Sequence, residues 1–178
     1  MIRIFPFIFI LLWSSAFITT KPIIDNSDPF SALAFRFFFV ALGFYLFSIY
    51  TKHSIAVSKK NLLESFFGGV LFHGFYLGGV FYSISIGMPT GIAALIVTLQ
   101  PILTNALSGP ILGEKVTLKQ WIGVLLGFAG ATLVLGMDIG SGIPILGFLA
   151  TIIALISITI STIWQKKLSN NLPLSVSN

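Results

Sequence analysis

The chain contains no cysteine, which removes disulfides and thiolate metal sites from consideration. Charge is nearly as scarce. Only 8% of the 178 residues are Asp, Glu, Lys or Arg, against about 25% in soluble globular domains. So few charges cannot coat a water-facing surface, and lipid must be the solvent for most of the chain. Acids are the scarcest, five Asp and Glu together, and none falls deep in an apolar run. The two histidines, His53 and His73, lie in a loop and within an apolar run. No paired-acid site, nucleophile–base pair or metal cluster can be assembled, so neither an enzyme nor a cofactor is expected. What fills the chain instead is apolar: 56% hydrophobic residues, with a mean hydropathy of +1.00.

In lipid every backbone N–H and C=O must be paired within the protein, which leaves helices or closed barrels. Barrel strands alternate in polarity over roughly ten residues. These runs are apolar all round, so helices are expected. A span needs roughly 20 apolar residues. Six stretches qualify: residues 4–20, 29–50, 62–87, 90–112, 118–137 and 143–164. The expected fold is an all-α, polytopic transmembrane bundle of about six spans.

The net charge is +5, which in a soluble protein would suggest nucleic acid. Here the basic residues sit in short loops between apolar runs, the membrane-topology use of Lys and Arg. No nucleic-acid partner is expected. Arg3, Lys52, Lys59, Lys60, Lys115, Lys119, Lys166 and Lys167 fall on one side, in alternate loops. Lys21 falls on the other, beside Asp25, Asp28 and Asp138, and Arg36 lies inside the second run. The positive-inside rule then puts both termini in the cytoplasm. The expected location is the cytoplasmic (inner) membrane, as a multi-pass protein. Arg3, the run to Trp13 and Ser14-x-Ala16 mimic a signal peptide. The apolar character continues to Ile18 and further spans follow, which argues for an uncleaved first helix.

Small residues recur at helical spacing. Gly123-x-x-x-Gly127-x-x-x-Ala131 lines one face of the fifth run. Gly74-x-x-x-Gly78 and Gly79-x-x-x-Ser83-x-x-x-Gly87 do so in the third. Such faces let membrane helices approach closely. They serve either packing within the chain or a dimer face.

Depth follows from a helical rise of about 1.5 Å per residue. Trp13, His73 and Gln100 come out roughly 13, 16 and 15 Å into their spans, near the midplane of a core about 30 Å thick. Ser157 and Thr159 lie at similar depth. Polar groups are costly there and tend to face the bundle interior. His73 shares a face with Gly69 and Tyr76; it either contacts solute or a proton, or is a neutral imidazole bonded to a neighbouring helix. Gln100, Thr104 and Ser108 form a stripe beside Pro101, which removes a helical hydrogen bond. That stripe suits either a cavity wall or bonding between helices. Arg36 lies roughly 10 Å below one end of its span. It either binds an anionic group, snorkels outward or holds buried carbonyls. The Phe-rich stretch Phe35, Phe37, Phe38, Phe39 and Phe44 reads as lipid-facing and packing surface.

The run from Gly87-Met-Pro-Thr-Gly to Leu99-Gln-Pro, then Leu112-Gly113-Glu114-Lys115, Gln120-Trp-Ile-Gly123 and Gly127-Phe-Ala-Gly-Ala, resembles the EamA-type drug/metabolite transporter superfamily. So does Trp13-Ser-Ser-Ala-Phe ahead of Asp28-Pro and Ala34-Phe-Arg-Phe. Members of that superfamily are ten-helix carriers made of two five-helix repeats. The resemblance implies a first repeat over residues 1–137. It assigns residues 143–178 to the first helix and start of a second, incomplete repeat. Lys21 through Pro29-Phe-Ser echoes Lys166 through Pro173-Leu-Ser. Five helices separate the echoes, so the two units insert with opposite orientation, the inverted-repeat logic of secondary transporters.

The expected function is a permease moving a small organic metabolite or drug-like solute by alternating access. The other reading is a truncated remnant or scaffold that needs a partner half. Expected partners are the bilayer, a small-molecule substrate, and either a second copy or a second half. Candidate solute contacts are Trp13, Arg36, His73, Tyr76, Gln100 and Thr104. Pro101, Gly113, Glu114, Gly123 and Gly127 are structural motif positions.

Overall fold

The computed structural model describes residues 4–51, 58–113, 115–135 and 142–169. Among them the secondary structure is helical throughout, with no strand. Helix α1 is Phe5–Asn26 and α2 is Pro29–Tyr50. Helix α3 runs without a break over Lys59–Ser85, and α4 occupies Thr90–Leu112. Helix α5 is Leu118–Leu135 and α6 is Ile145–Ser169. Five of these, α1 to α4 and α6, are long and apolar enough to cross a membrane. The fifth expected span, 118–137, is a helix as far as Leu135, and its expected end lies outside the described residues.

Local chemistry sets the helix ends. Helix α1 was expected to stop at Thr20, but it continues to Asn26. The added turns carry an i,i+4 ion pair, Lys21 to Asp25 at 3.2 Å, a spacing that supports helix. Asn26 and Ser27 then bond back to the carbonyls of Pro22 and Ile23. Asp28 caps α2 by accepting from the Ser31 N–H at 2.8 Å, and that bond holds its carboxyl below the usual carboxylate range. Ser58 caps α3 in the same way, through the Asn61 N–H, so α3 starts earlier than expected. Gly113 ends α4 with φ of 69°, the left-handed conformation for which glycine is suited. Glu114 lies outside the described residues.

Two spans are irregular. Val70–Leu77 of α3 winds as a π-helix, the wider turn that recurs near functional sites. Helix α4 is interrupted at Thr98 and Leu99, between the segments Thr90–Val97 and Gln100–Leu112. Pro101 has no N–H for the Val97 carbonyl. The break places it in the first turn of a new segment, where the missing donor costs little.

Helices α3 and α6 form the central pair and run antiparallel. Trp164, near the end of α6, donates to the Glu64 carbonyl near the start of α3. At the opposite end Gly147 of α6 lies beside Met88 and Ser83. Small residues make this seam close. A Cβ at Gly79 would sit 3.0 Å from the Ala150 carbonyl oxygen and 3.2 Å from Ala154 Cβ. Hydroxyls seal it: Ser161 Oγ donates to the Gly68 carbonyl at 3.0 Å, just before the π segment. Helices α1 and α2 flank the second half of α3, α4 flanks α6, and α5 lies against α4.

Of the expected small-residue faces, Gly79 and Ser83 are therefore used within the chain. Those of α5 are not: a Cβ at Gly123 or Gly127 would meet nothing within 4 Å.

Candidate functional site

Two chambers lie on either side of Trp13 and Phe72, whose rings meet edge to face at 6.5 Å. The smaller, about 190 Å³, is bounded by α1, α2 and α3. Arg36, Tyr76 and Thr20 give it polar walls among Phe9, Phe17 and Phe81. The larger, about 640 Å³, is bounded by α1, α3, α4 and α6. Ser14, Thr98, Gln100 and Thr162 are its polar groups, and Pro101 lines it too. Phe9, Trp13, Phe17 and Phe72 border both, so the chambers are parts of one divided hollow.

The fold explains these positions. Arg36 is the eighth residue of α2 and reaches toward α1 and α3 rather than toward an acid. Among the described residues it makes no ion pair or hydrogen bond, and its Cζ lies 5.9 Å from the Phe37 ring centroid. Tyr76 is delivered by the π segment and is only 3% exposed. Gln100 starts the second segment of α4. Its Nε2 donates to Thr104 Oγ1 at 3.1 Å and to Thr162 Oγ1 at 3.2 Å, tying α4 to α6 across the hollow.

Of the six expected contacts, Trp13, Arg36, Tyr76 and Gln100 line the divided hollow. Thr104 stands one helical turn away, holding the Gln100 amide and lining a separate cleft. His73 lines neither chamber. Its ring lies between Phe37 at 4.5 Å and Phe72 at 5.0 Å, and its buried Nδ1 has no hydrogen-bond partner among the described residues. Ser157 and Thr159 are buried in α6 rather than lining either chamber. Phe35, Phe38 and Phe39 face outward, as expected of lipid-facing surface.

Thr162, Phe9, Phe17 and Phe72 also line the hollow and are not among the expected contacts. Thr162 lies one helical turn beyond Thr159, which depth alone had singled out. Nothing in the sequence separates the three phenylalanines from the many that face lipid.

The arrangement defines a class: a polytopic helical membrane protein with a polar-edged aromatic hollow between its helices. Residues 2–136 match the EamA-like transporter family, and the chain belongs to that family, as its motifs had indicated. It is 26% identical over 165 residues to the probable amino-acid metabolite efflux pump of Salmonella typhimurium, across 92% of this chain and 53% of that protein. It is 27% identical over 163 residues to the probable amino-acid metabolite efflux pump of Escherichia coli, across 91% and 52%. The uncharacterized transporter YvbV of Bacillus subtilis is 24% identical over 161 residues, across 89% and 51%. The chain spans about half the length of these curated relatives. No solved structure matches it.

Proposed function

We propose that the chain forms one half of a carrier that moves small organic metabolites, amino-acid metabolites among them, across the cytoplasmic membrane. The observation that carries this reading is Arg36, a guanidinium within a span, facing an aromatic-walled chamber without an acidic partner among the described residues. A charge at such depth is expensive unless something completes it. A guanidinium presents a planar fork of donors matched to a carboxylate. Trp13 and Phe72 would hold the solute's apolar body, with Tyr76 and Gln100 as orienting polar contacts. Thr104 would fix the Gln100 amide, and His73 would stand one ring behind the contact surface.

Family membership supports a transporter rather than an enzyme. The printed names of two relatives support amino-acid metabolites as cargo. Alternating access would come from rocking of this unit against a second one, either another half or another copy. The lysine-rich loops would face the cytoplasm.

The test is solute efflux from proteoliposomes. One preparation holds the chain alone, and another adds the part of a relative that it does not match. A panel of amino-acid metabolites, bases and drug-like solutes is loaded. Efflux of at least one solute is expected to depend on the protein. Arg36→Ala should reduce it about tenfold or more, the loss of one charge-assisted contact. If nothing moves in either preparation, the carrier reading is wrong.

A further inference from the structure

A second, more polar cleft of about 140 Å³ opens between α4, α5 and α6 at the end of the bundle that carries Lys115 and Lys166. It is separate from the divided hollow, yet Thr162 lines both. Gln100, on the hollow side, donates to Thr162 and to Thr104, and Thr104 lines the cleft. The Gln100 amide and the hydroxyls of Thr104 and Thr162 therefore stand at the boundary between the two spaces. That boundary stands where α4 is already broken at Thr98 and Leu99. A polar contact beside a helix break can open by exchanging partners with water or solute, without repacking a core.

The cleft's chemistry favours an anion. Lys115 places a cation on its wall, and no acidic residue lines it among the described residues. Gln120 uses Oε1 to accept from the Thr117 N–H and hydroxyl. Its Nε2 donor is unused among the described residues, as is the side-chain amide of Asn105. Two amide donors and an ammonium around a space of this size suit a carboxylate.

We propose that this cleft is a second solute site, which receives the solute's carboxylate at the Lys-bearing end. The Gln100–Thr162 contact is the door between it and the larger chamber. The identity of the solute rests on the carrier reading; the cleft's charge preference and its door do not.

The chain's lack of cysteine makes the test clean, since a single introduced thiol reports without background. Asn105→Cys marks the cleft and Ser14→Cys marks the larger chamber, each in phosphatidylcholine vesicles. With each rate taken relative to that reagent's rate with a free thiol in solution, Asn105→Cys should favour a sulfonate-bearing methanethiosulfonate over a trimethylammonium one about tenfold. Lys115→Gln should lower that preference. Ser14→Cys should react slowly with reagent added at the Lys-bearing end. Thr162→Val, which keeps nearly the same shape, should speed it about fivefold, the value of one hydrogen bond. Gln100→Ala should do the same from the other partner. Equal relative rates for the two reagents at Asn105→Cys would overturn the site. An unchanged Ser14→Cys rate in both door variants would overturn the door. If these rates hold but no solute moves in the efflux assay, the carrier reading fails and the cleft stands.

Discussion

Along α3 and α6, 39% and 44% of the residues in the most apolar window are buried within the chain, whereas along α1 and α2 only 6% and 11% are. All four helices are apolar enough to span a bilayer, so hydropathy does not separate them. What separates them is side-chain size and hydroxyl placement. The α3–α6 seam is built on Gly79, Gly147, Ala150 and Ala154, with Ser161 and Trp164 bonded to backbone carbonyls across it. Helices α1 and α2 turn Phe, Leu and Ile outward. Lipid tails are as apolar as leucine, so association in a membrane comes from close packing and hydrogen bonds rather than from hydrophobicity. The seam holds this unit together. The outward faces meet lipid or another polypeptide.

Substitutions on the two sides can break or sharpen that contrast. The largest effect is expected at Gly79. Gly79→Leu drives a side chain into the Ala150 carbonyl, and such overpacking costs about 1–3 kcal/mol, sometimes more. Gly123→Leu and Gly127→Leu meet open space and should stay within about 0.5 kcal/mol for the purified chain. Reversible unfolding in mixed detergent, followed by helicity, gives all three values. Equal losses would erase the distinction between the seam and the α5 face.

A smaller effect is expected where the seam is sealed by hydrogen bonds. Ser161→Ala and Trp164→Phe each remove a donor to an α3 carbonyl and should each cost about 0.6 kcal/mol, with an upper range near 1.7. Ser14→Ala, on α1, removes only a bond to the Ile10 carbonyl of its own helix and should be near neutral. The same unfolding assay ranks them.

The smallest effect concerns the α1–α2 turn. The Ser31 N–H bond lowers the Asp28 pKa below 3.8. The charged cap therefore contributes fully above the unfolded value near 3.8, and its contribution is lost as pH falls through the lower folded value. Asp28→Asn keeps the cap without the charge. Its melting temperature should thus be flatter than that of the parent over the acid limb. Parallel acid limbs would remove Asp28 from the pH response.

These contrasts also mark what was legible in the chain's letters. Six apolar runs were, because lipid imposes length, and so were the stops at Gly113 and Pro101, which act through local backbone chemistry; the end of α1 and the start of α3 were not, because side-chain bonds carry those helices past the apolar runs. Depth singled out Trp13 and Gln100, and Tyr76 was reached through the face it shares with His73; all three line the hollow. The π turn was not legible. Its wider winding leaves no periodic signature in a run that is apolar on every face. Nor could the glycines of α3 be told from those of α5, because which small face finds a neighbour is decided by helices distant in sequence. His73 shows the limit of depth: the estimate set it level with Trp13 and Gln100, but Phe37 and Phe72 stand around it.

Efflux of a carboxylate solute and of its uncharged amide analogue, compared in Arg36 variants, tests the proposed site most directly. Arg36→Gln should slow the acid about tenfold or more and leave the amide nearly unchanged. Arg36→Lys should fall between, because an ammonium keeps the charge and loses the fork. Equal slowing of acid and amide, or none for either, would contradict a carboxylate held by Arg36.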